Sequence, residues 1–116
     1  MSENGELENR VKHLEERVKM LVNIADPEKH PFTYLALETN LTHSQVEAIL
    51  ELMDKAQKSL RIGDPMNHAV FEGRVYEIVP IKNGDYHFAE SIVATLNDSH
   101  QYSDVYEHMK KDGMNI

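Results

Sequence analysis

Three aspartates stand four residues before a histidine, and these pairs are the residues of this sequence most suited to chemistry. They are Asp26/His30, Asp64/His68 and Asp104/His108. On a helix, side chains four residues apart lie on one face, where a carboxylate and an imidazole can bind a metal ion together. Asp26 and Asp64 each precede a proline, however, which is typical of residues that begin a helix or a turn. We therefore predict no metal site and no cofactor, and a His/Asp metal-dependent helical enzyme stays an alternative.

The sequence lacks the motifs of several other enzyme classes. It has no cysteine, which excludes thiolate zinc sites and cysteine nucleophiles. It has no Gly-rich phosphate loop, no Gly-x-Ser-x-Gly nucleophile elbow and no His-Glu-x-x-His zinc motif. The Glu-x-x-His motif of helical di-iron proteins is also missing from the sequence. We therefore predict that the protein is not an enzyme and has no catalytic residue.

The segment from Phe32 to Lys55 has the outline of a helix–turn–helix DNA-binding motif, a short helix followed by a turn and a longer helix. Acidic residues occupy the middle of the longer helix: Glu47, Glu51 and Asp54. The chain carries 20 acidic and 12 basic residues, a net charge of −8, and such a surface repels nucleic acid and attracts basic partners. We predict a basic protein partner and no nucleic acid, with a helix–turn–helix-like DNA-binding regulator as a second alternative.

An apolar heptad repeat near the N-terminus is the first element that can organise the chain. Its members are Leu7, Val11, Leu14, Val18 and Leu21. Valine at position a with leucine at position d favours two parallel strands. In a parallel pair, Arg10 at g faces Glu15 at e of the other helix, whereas an antiparallel pair opposes like charges. We predict that the five apolar residues form the interface of a homo-oligomer, a dimer or a trimer; the alternative is a helix packed inside its own subunit.

A long central helix is the second such element. Thr42 and Gln45 have the spacing of a capping box, and Gly63 before Asp64-Pro65 is typical of a helix end. Between them, apolar residues recur three and four positions apart, the spacing of one helical face. The core residues predicted on this face are Val46, Ile49, Leu50, Met53 and Leu60.

The remaining segments predict more helices, so that the chain is an all-α, small multi-helical domain. We expect a disordered lead-in over residues 1–5 and one helical domain over residues 6–112. The predicted helices cover residues 6–25, 31–38, 43–62 and about 65–79, 86–97 and 100–111. A hairpin competes with helix over residues 66–88, because Val70 to Ile81 is rich in β-branched residues and Asn83-Gly84 is a hairpin turn signal. Poor alternation and Pro80 favour the helix.

Composition gives an expectation about location. No apolar run approaches the roughly 18 residues that a membrane span needs, and the acidic, polar N-terminus does not resemble a secretory signal. We therefore expect a cytoplasmic protein that binds no membrane.

Several runs of the sequence resemble a known family. They are Met20-Leu21-Val22, His30-Pro31-Phe32, Asn40-Leu41-Thr42 with Val46-Glu47-Ala48-Ile49, and Ala89 to Ala94 with Tyr102 to Met109. With the heptad, they are similar to the YhaI-like family, small uncharacterised proteins of bacteria and their prophages. The resemblance implies an all-helical, intertwined homo-oligomer and assigns no catalytic residue. We predict a non-catalytic acidic oligomer, a protein-binding or regulatory module that inhibits or sequesters a basic protein that handles nucleic acid.

Overall fold

The computed structural model describes residues 3–24 and 26–116. These residues form six α-helices and one short 3₁₀ helix, with no β-strand among them, so the predicted all-α class is confirmed. The helices are α1 (Glu3–Ile24), α2 (Pro31–Glu38), α3 (His43–Arg61), α4 (His68–Ile78), α5 (Tyr86–Asp98) and α6 (Ser103–Lys111). The 3₁₀ helix, Pro80–Lys82, follows α4.

The first helix begins earlier than the sequence suggested. The backbone is already helical at Glu3, so the predicted disordered lead-in is wrong for residues 3–5, and Met1 and Ser2 lie outside the described residues. Glu6 stands in the first turn, where negative charge interacts favourably with the N-terminal end of the helix dipole. That interaction gives a physical reason for the early start.

The region between α3 and α5 is helical and is not a hairpin. The predicted start of α4 at about residue 65 is wrong, because the backbone of Asp64 still belongs to the end of α3. The amide of Asp64 donates to the carbonyl of Ser59, and Gly63 has a left-handed φ of 81°, as in a Schellman motif. Asn67 is the cap of α4, and its side chain accepts a hydrogen bond of 2.8 Å from the amide of Val70.

The sixth helix begins three residues later than predicted. His100 and Tyr102 have positive φ angles of 61° and 55°, which are incompatible with a right-handed α-helix. The amide of Gln101 donates to the carbonyl of Leu96 and closes the end of α5. The chain therefore turns over these residues, and α6 begins at Ser103.

The core lies among α3, α4, α5 and α6. Helix α3 contacts α4 and α6, and α5 contacts α2, α4 and α6. Side chains without appreciable exposure come from all four helices: Ile49 and Met53, Phe71 and Val75, Ile92 and Leu96, and Val105 and Met109. Phe32 extends the core onto α2, and Met114 extends it beyond α6. The four helices therefore form one body with a continuous core.

The buried face of α3 is rotated from the predicted one. Ile49 and Met53 are fully buried, whereas Val46, Leu50 and Leu60 are partly buried and pack against the core. Leu52 is only 4% exposed, because it lies on the side of α3 that meets α4. Leu50 instead borders an open cleft beside Tyr102. Leu50, predicted as a core residue, is therefore only partly buried.

Helix α1 projects from this body. The Cα radius of gyration is 17.0 Å, against about 13 Å for a compact domain of this length, and the longest dimension is 62 Å. Helix α1 meets the body at α2. Its side chains from Glu6 to Leu21 are exposed. The molecule therefore consists of a compact body, residues 26–116, and a projecting arm, α1.

The rotation of α3 can be tested by truncating its two neighbouring leucines. Leu52→Ala should cost about 2–5 kcal/mol, the usual range for a fully buried leucine. Leu50→Ala should cost less, because its side chain is partly exposed. Urea melts would measure both, with exposed Glu51→Ala as a control that should stay within about 0.5 kcal/mol of the wild type. Equal losses for the two leucines would contradict the observed burial.

Candidate oligomer interface

An uncovered apolar stripe runs along the projecting arm. It consists of the five residues predicted as the oligomer interface, and their exposed fractions range from 50% at Val18 to 60% at Leu21. Helical periodicity places them on one side of α1, because positions a and d of a heptad share a face. The other members of the stripe are Leu7, Val11 and Leu14. Contiguous exposed apolar surface of this kind marks sites of protein–protein contact.

The stripe continues into a groove between α1 and the end of α2. The groove has a volume of about 850 Å³ and contains both apolar and charged side chains. Its lining residues from α1 include Val11, Leu14, Glu15, Val18 and Val22, and those from α2 and the following turn are Leu37, Glu38 and Asn40. The heptad does not point to Leu37 and Glu38, because it specifies only the helix that carries it. Leu37 is 43% exposed and lines the groove, so it adds apolar surface next to the stripe and is part of the candidate surface.

The charged residues beside the stripe have no partners within the described part of the chain. Every ion pair among residues 3–24 and 26–116 has a histidine as one member: His43–Glu47, His68–Asp112 and His87–Glu90. Arg10, Glu15 and Arg17 are exposed and belong to none of these pairs. Their charges are therefore available to a second molecule.

The structure separates the three aspartate–histidine pairs of the sequence. Asp26 accepts a hydrogen bond of 3.0 Å from the amide of Glu28. The Nε2 atom of His108 lies 3.0 Å from the carbonyl oxygen of Met66, and Asp104 accepts a hydrogen bond from Gln57. No group of three or more His, Cys, Asp or Glu side chains that could hold a metal ion occurs among the described residues.

His68 has a different acidic partner, which sequence spacing does not reveal. Its Nδ1 atom lies 2.8 Å from Oδ2 of Asp112, and its backbone amide donates to the same oxygen at 2.7 Å. The contact joins the first residue of α4 to the residue after α6. The backbone hydrogen bond from His68, followed by the side-chain one, lowers the pKa of Asp112. Because the two residues are 44 positions apart, no local motif could have found this pair.

A second polar cluster joins α3 to the start of α6. The Tyr102 hydroxyl donates to Oδ1 of Asp54 at 2.6 Å, and the Gln57 amide donates to Oδ1 of Asp104 at 3.0 Å. Burial, followed by the hydrogen bond to Asp54, raises the pKa of Tyr102 to about 12. The phenol is therefore neutral at physiological pH and donates its proton in the hydrogen bond to Asp54. This cluster attaches Tyr102, whose backbone has a left-handed conformation, to α3.

One comparison with known proteins decides the family. The model of the family described as "Protein of unknown function (DUF1878)" matches residues 5–112. The chain belongs to the DUF1878 family. The match covers nearly all of the arm and every helix of the body, so both parts belong to the family's pattern. No curated protein and no solved structure matches the chain.

Charge is distributed unevenly over this DUF1878 chain. Residues 26–116 contain 15 acidic and 8 basic side chains, so the body carries −7 of the total charge of −8. Glu47, Glu51 and Asp54 form an exposed stripe along α3, since residues four and three apart share a helical face. We call these three residues the acidic stripe. Among the described helices of the DUF1878 chain, none has both the length and the hydropathy of a membrane span.

The His68–Asp112 contact gives the DUF1878 body a testable acid sensitivity. A lowered native pKa means that ionised Asp112 adds stability above its unfolded pKa, near 3.8, and that this stability is lost as the pH falls through the native value. Thermal melts between about pH 5 and pH 2 should therefore show a smaller loss of melting temperature for Asp112→Asn than for the wild type. At pH 7 the variant should melt below the wild type.

The control for this experiment is Asp98→Asn, which changes an exposed carboxylate at the end of α5. Its melting temperature should follow that of the wild type across the same pH range. If Asp112→Asn and Asp98→Asn gave the same pH dependence, the contact with His68 would not contribute to acid sensitivity.

Proposed function

We propose that this protein is a non-catalytic homodimer, in which two copies of α1 form a parallel coiled coil and the acidic bodies bind a basic protein. The observation that carries the proposal is the stripe of five exposed apolar residues at heptad spacing on a projecting helix. When a second helix covers such a stripe, the pair is stabilised by about 25 cal/mol for each Å² of apolar surface removed from water.

The charges beside the stripe support a parallel arrangement. Arg10 at position g and Glu15 at position e are exposed and have no ion-pair partner within residues 3–24 and 26–116. A parallel dimer brings Arg10 of each copy next to Glu15 of the other copy, so that it contains two such pairs. Valine at a with leucine at d favours two strands over three. The proposal is therefore a dimer rather than a trimer.

The resemblance to the YhaI-like family supports the same assembly, since it implies an intertwined homo-oligomer. Family membership assigns neither an activity nor a partner, because the DUF1878 description names none. We place the dimer in the cytoplasm of a bacterium or in a cell carrying its prophage. The cysteine-free composition supports that location.

The charge of the body supports a basic protein as the partner. A dimer carries twice the −7 of one body, and the acidic stripe of each copy is exposed. Such a surface steers basic proteins toward it and repels nucleic acid, whose phosphates bear the same sign of charge. Proteins that handle nucleic acid present basic phosphate-binding surfaces. By occupying one of these surfaces, the dimer would inhibit or sequester the partner.

The assembly is tested by light scattering. The wild type should have about twice the monomer mass of 13.4 kDa. Val11→Asp with Val18→Asp should give a monomer with an intact body, because each substitution would bury an unpaired charge in the coiled coil. Val70→Asp, which changes an exposed valine of α4, is the matched control and should remain dimeric. A monomeric wild type at micromolar concentration would refute the dimer.

The partner class is tested by capture from a bacterial lysate at low salt. Wild-type bait should retain proteins of high isoelectric point, and increasing salt should release them. Glu47→Gln with Glu51→Gln should retain fewer of them, because the acidic stripe then keeps only one charge. Glu77→Gln with Glu107→Gln changes two exposed glutamates of other helices and should have a smaller effect. Equal capture by both double variants, or a mobility shift of duplex DNA at low salt, would contradict the proposal.

A further inference from the structure

We propose that the dimer interface is composite: α1 of a second copy lies in the groove between α1 and α2, packs on Leu37 and brings its Arg17 to Glu38. This inference rests on the proposed dimer and deepens it. The coiled coil then does more than tether two bodies, because α2 holds each body in a fixed orientation against the partner's arm.

The available area argues for such a composite surface. A fully exposed Val or Leu side chain corresponds to roughly 60–120 Å² of apolar surface. The five members of the stripe are 50–60% exposed, so together they offer roughly 150–350 Å² to a partner. A stable interface of standard size buries about 800 Å² on each side, of which somewhat more than half, roughly 450 Å², is apolar. The stripe by itself falls short, and the groove on α2 is the adjoining surface that can supply more contact.

Leu37 makes this adjoining surface apolar. It is 43% exposed and lies in the same groove as Val18 and Val22. A helix that covers Val11, Leu14 and Val18 from this side therefore meets Leu37 as well. Burial of a leucine that the body leaves exposed adds to the interface without any change in the fold of either chain.

The charge pattern gives the second argument. In a parallel coiled coil, residue g of one helix faces residue e of the next heptad on the other. Arg10 thus faces Glu15, but Arg17 faces Val22, which has no charge to offer. Glu38 lies in the same groove as Val22. It therefore provides, from α2, the carboxylate that the heptad lacks at this position.

Glu38 has the capacity to bind the partner's Arg17. It is exposed and belongs to none of the ion pairs among residues 3–24 and 26–116. The Glu38 carboxylate, one turn later on α2, raises the pKa of the Tyr34 hydroxyl through a side-chain interaction. A carboxylate has about four acceptor positions, so a guanidinium can bind beside that hydroxyl.

The proposal is tested by exchanging the two charges. Glu38→Arg and Arg17→Glu should each raise the dimer dissociation constant roughly tenfold or more, because two symmetric attractions become repulsions. The double variant Glu38→Arg/Arg17→Glu should return to within about threefold of the wild type, since the pair is restored with its signs exchanged. Sedimentation equilibrium over a range of concentrations gives the constants. Glu107→Arg, at an exposed position of α6, is the charge-matched control and should leave the constant unchanged.

A second variant tests the apolar contact and separates the two proposals. Leu37→Ser should weaken the dimer, whereas Ile62→Ser, at a 78% exposed position at the end of α3, should not. A dimeric wild type with unaffected Leu37→Ser and Glu38→Arg variants would overturn the composite interface and leave the coiled-coil dimer standing. A monomeric wild type would overturn both. Circular dichroism melts of each variant establish that the body remains folded.

Discussion

The burial of one face of α3 is the constraint on which the rest of the molecule depends. Ile49 and Met53 have no exposed surface, and burial of each contributes about 1.5–3 kcal/mol, a large share of a typical total stability of about 5–15 kcal/mol. Helix α3 contacts α4 and α6, α5 contacts both of these and α2, and α2 contacts α1. The groove between α1 and α2 is therefore positioned through these successive helix contacts. Its shape depends on the core, although no core residue lines it.

The parts of the fold that depend on short-range chemistry could be predicted from the sequence. Thr42 and Gln45 form both hydrogen bonds of the capping box, and the spacing of their side chains contains that information. Asp64-Pro65 wrongly indicated the start of α4, and the reason is also local. The same two residues fit a helix start and the exit from a Schellman motif, and the backbone bond from Asp64 to Ser59 decides between them. Helical periodicity also allowed either of two adjacent faces of α3 to be the buried one. Contact with α4 buries Leu52 more fully than Leu50.

Less of the candidate interface could be predicted, because most of it depends on the approach of separate elements. The heptad identifies which side of α1 is apolar, and the structure leaves that side uncovered. Leu37 and Glu38 carry no sequence signal of their own, since only the approach of α2 to α1 places them in the groove. The same is true of His68 and Asp112, whose contact joins distant positions. The aspartates four residues before a histidine were, by contrast, a pattern without a corresponding side-chain hydrogen bond or ion pair among the described residues.

The division of the chain into an arm and a body separates folding from association. Every buried core residue that the structure describes lies between Phe32 and Met114, so the body can complete its core without a contribution from α1. Collapse of the body is then a unimolecular event, whose rate does not depend on concentration. In the proposed dimer, docking of the arms is bimolecular and follows it, because α2 must already be in place to complete the groove. If the arms pair as proposed, a cell that makes little of the protein would hold folded single chains, and synthesis beyond a threshold would convert them to the paired form.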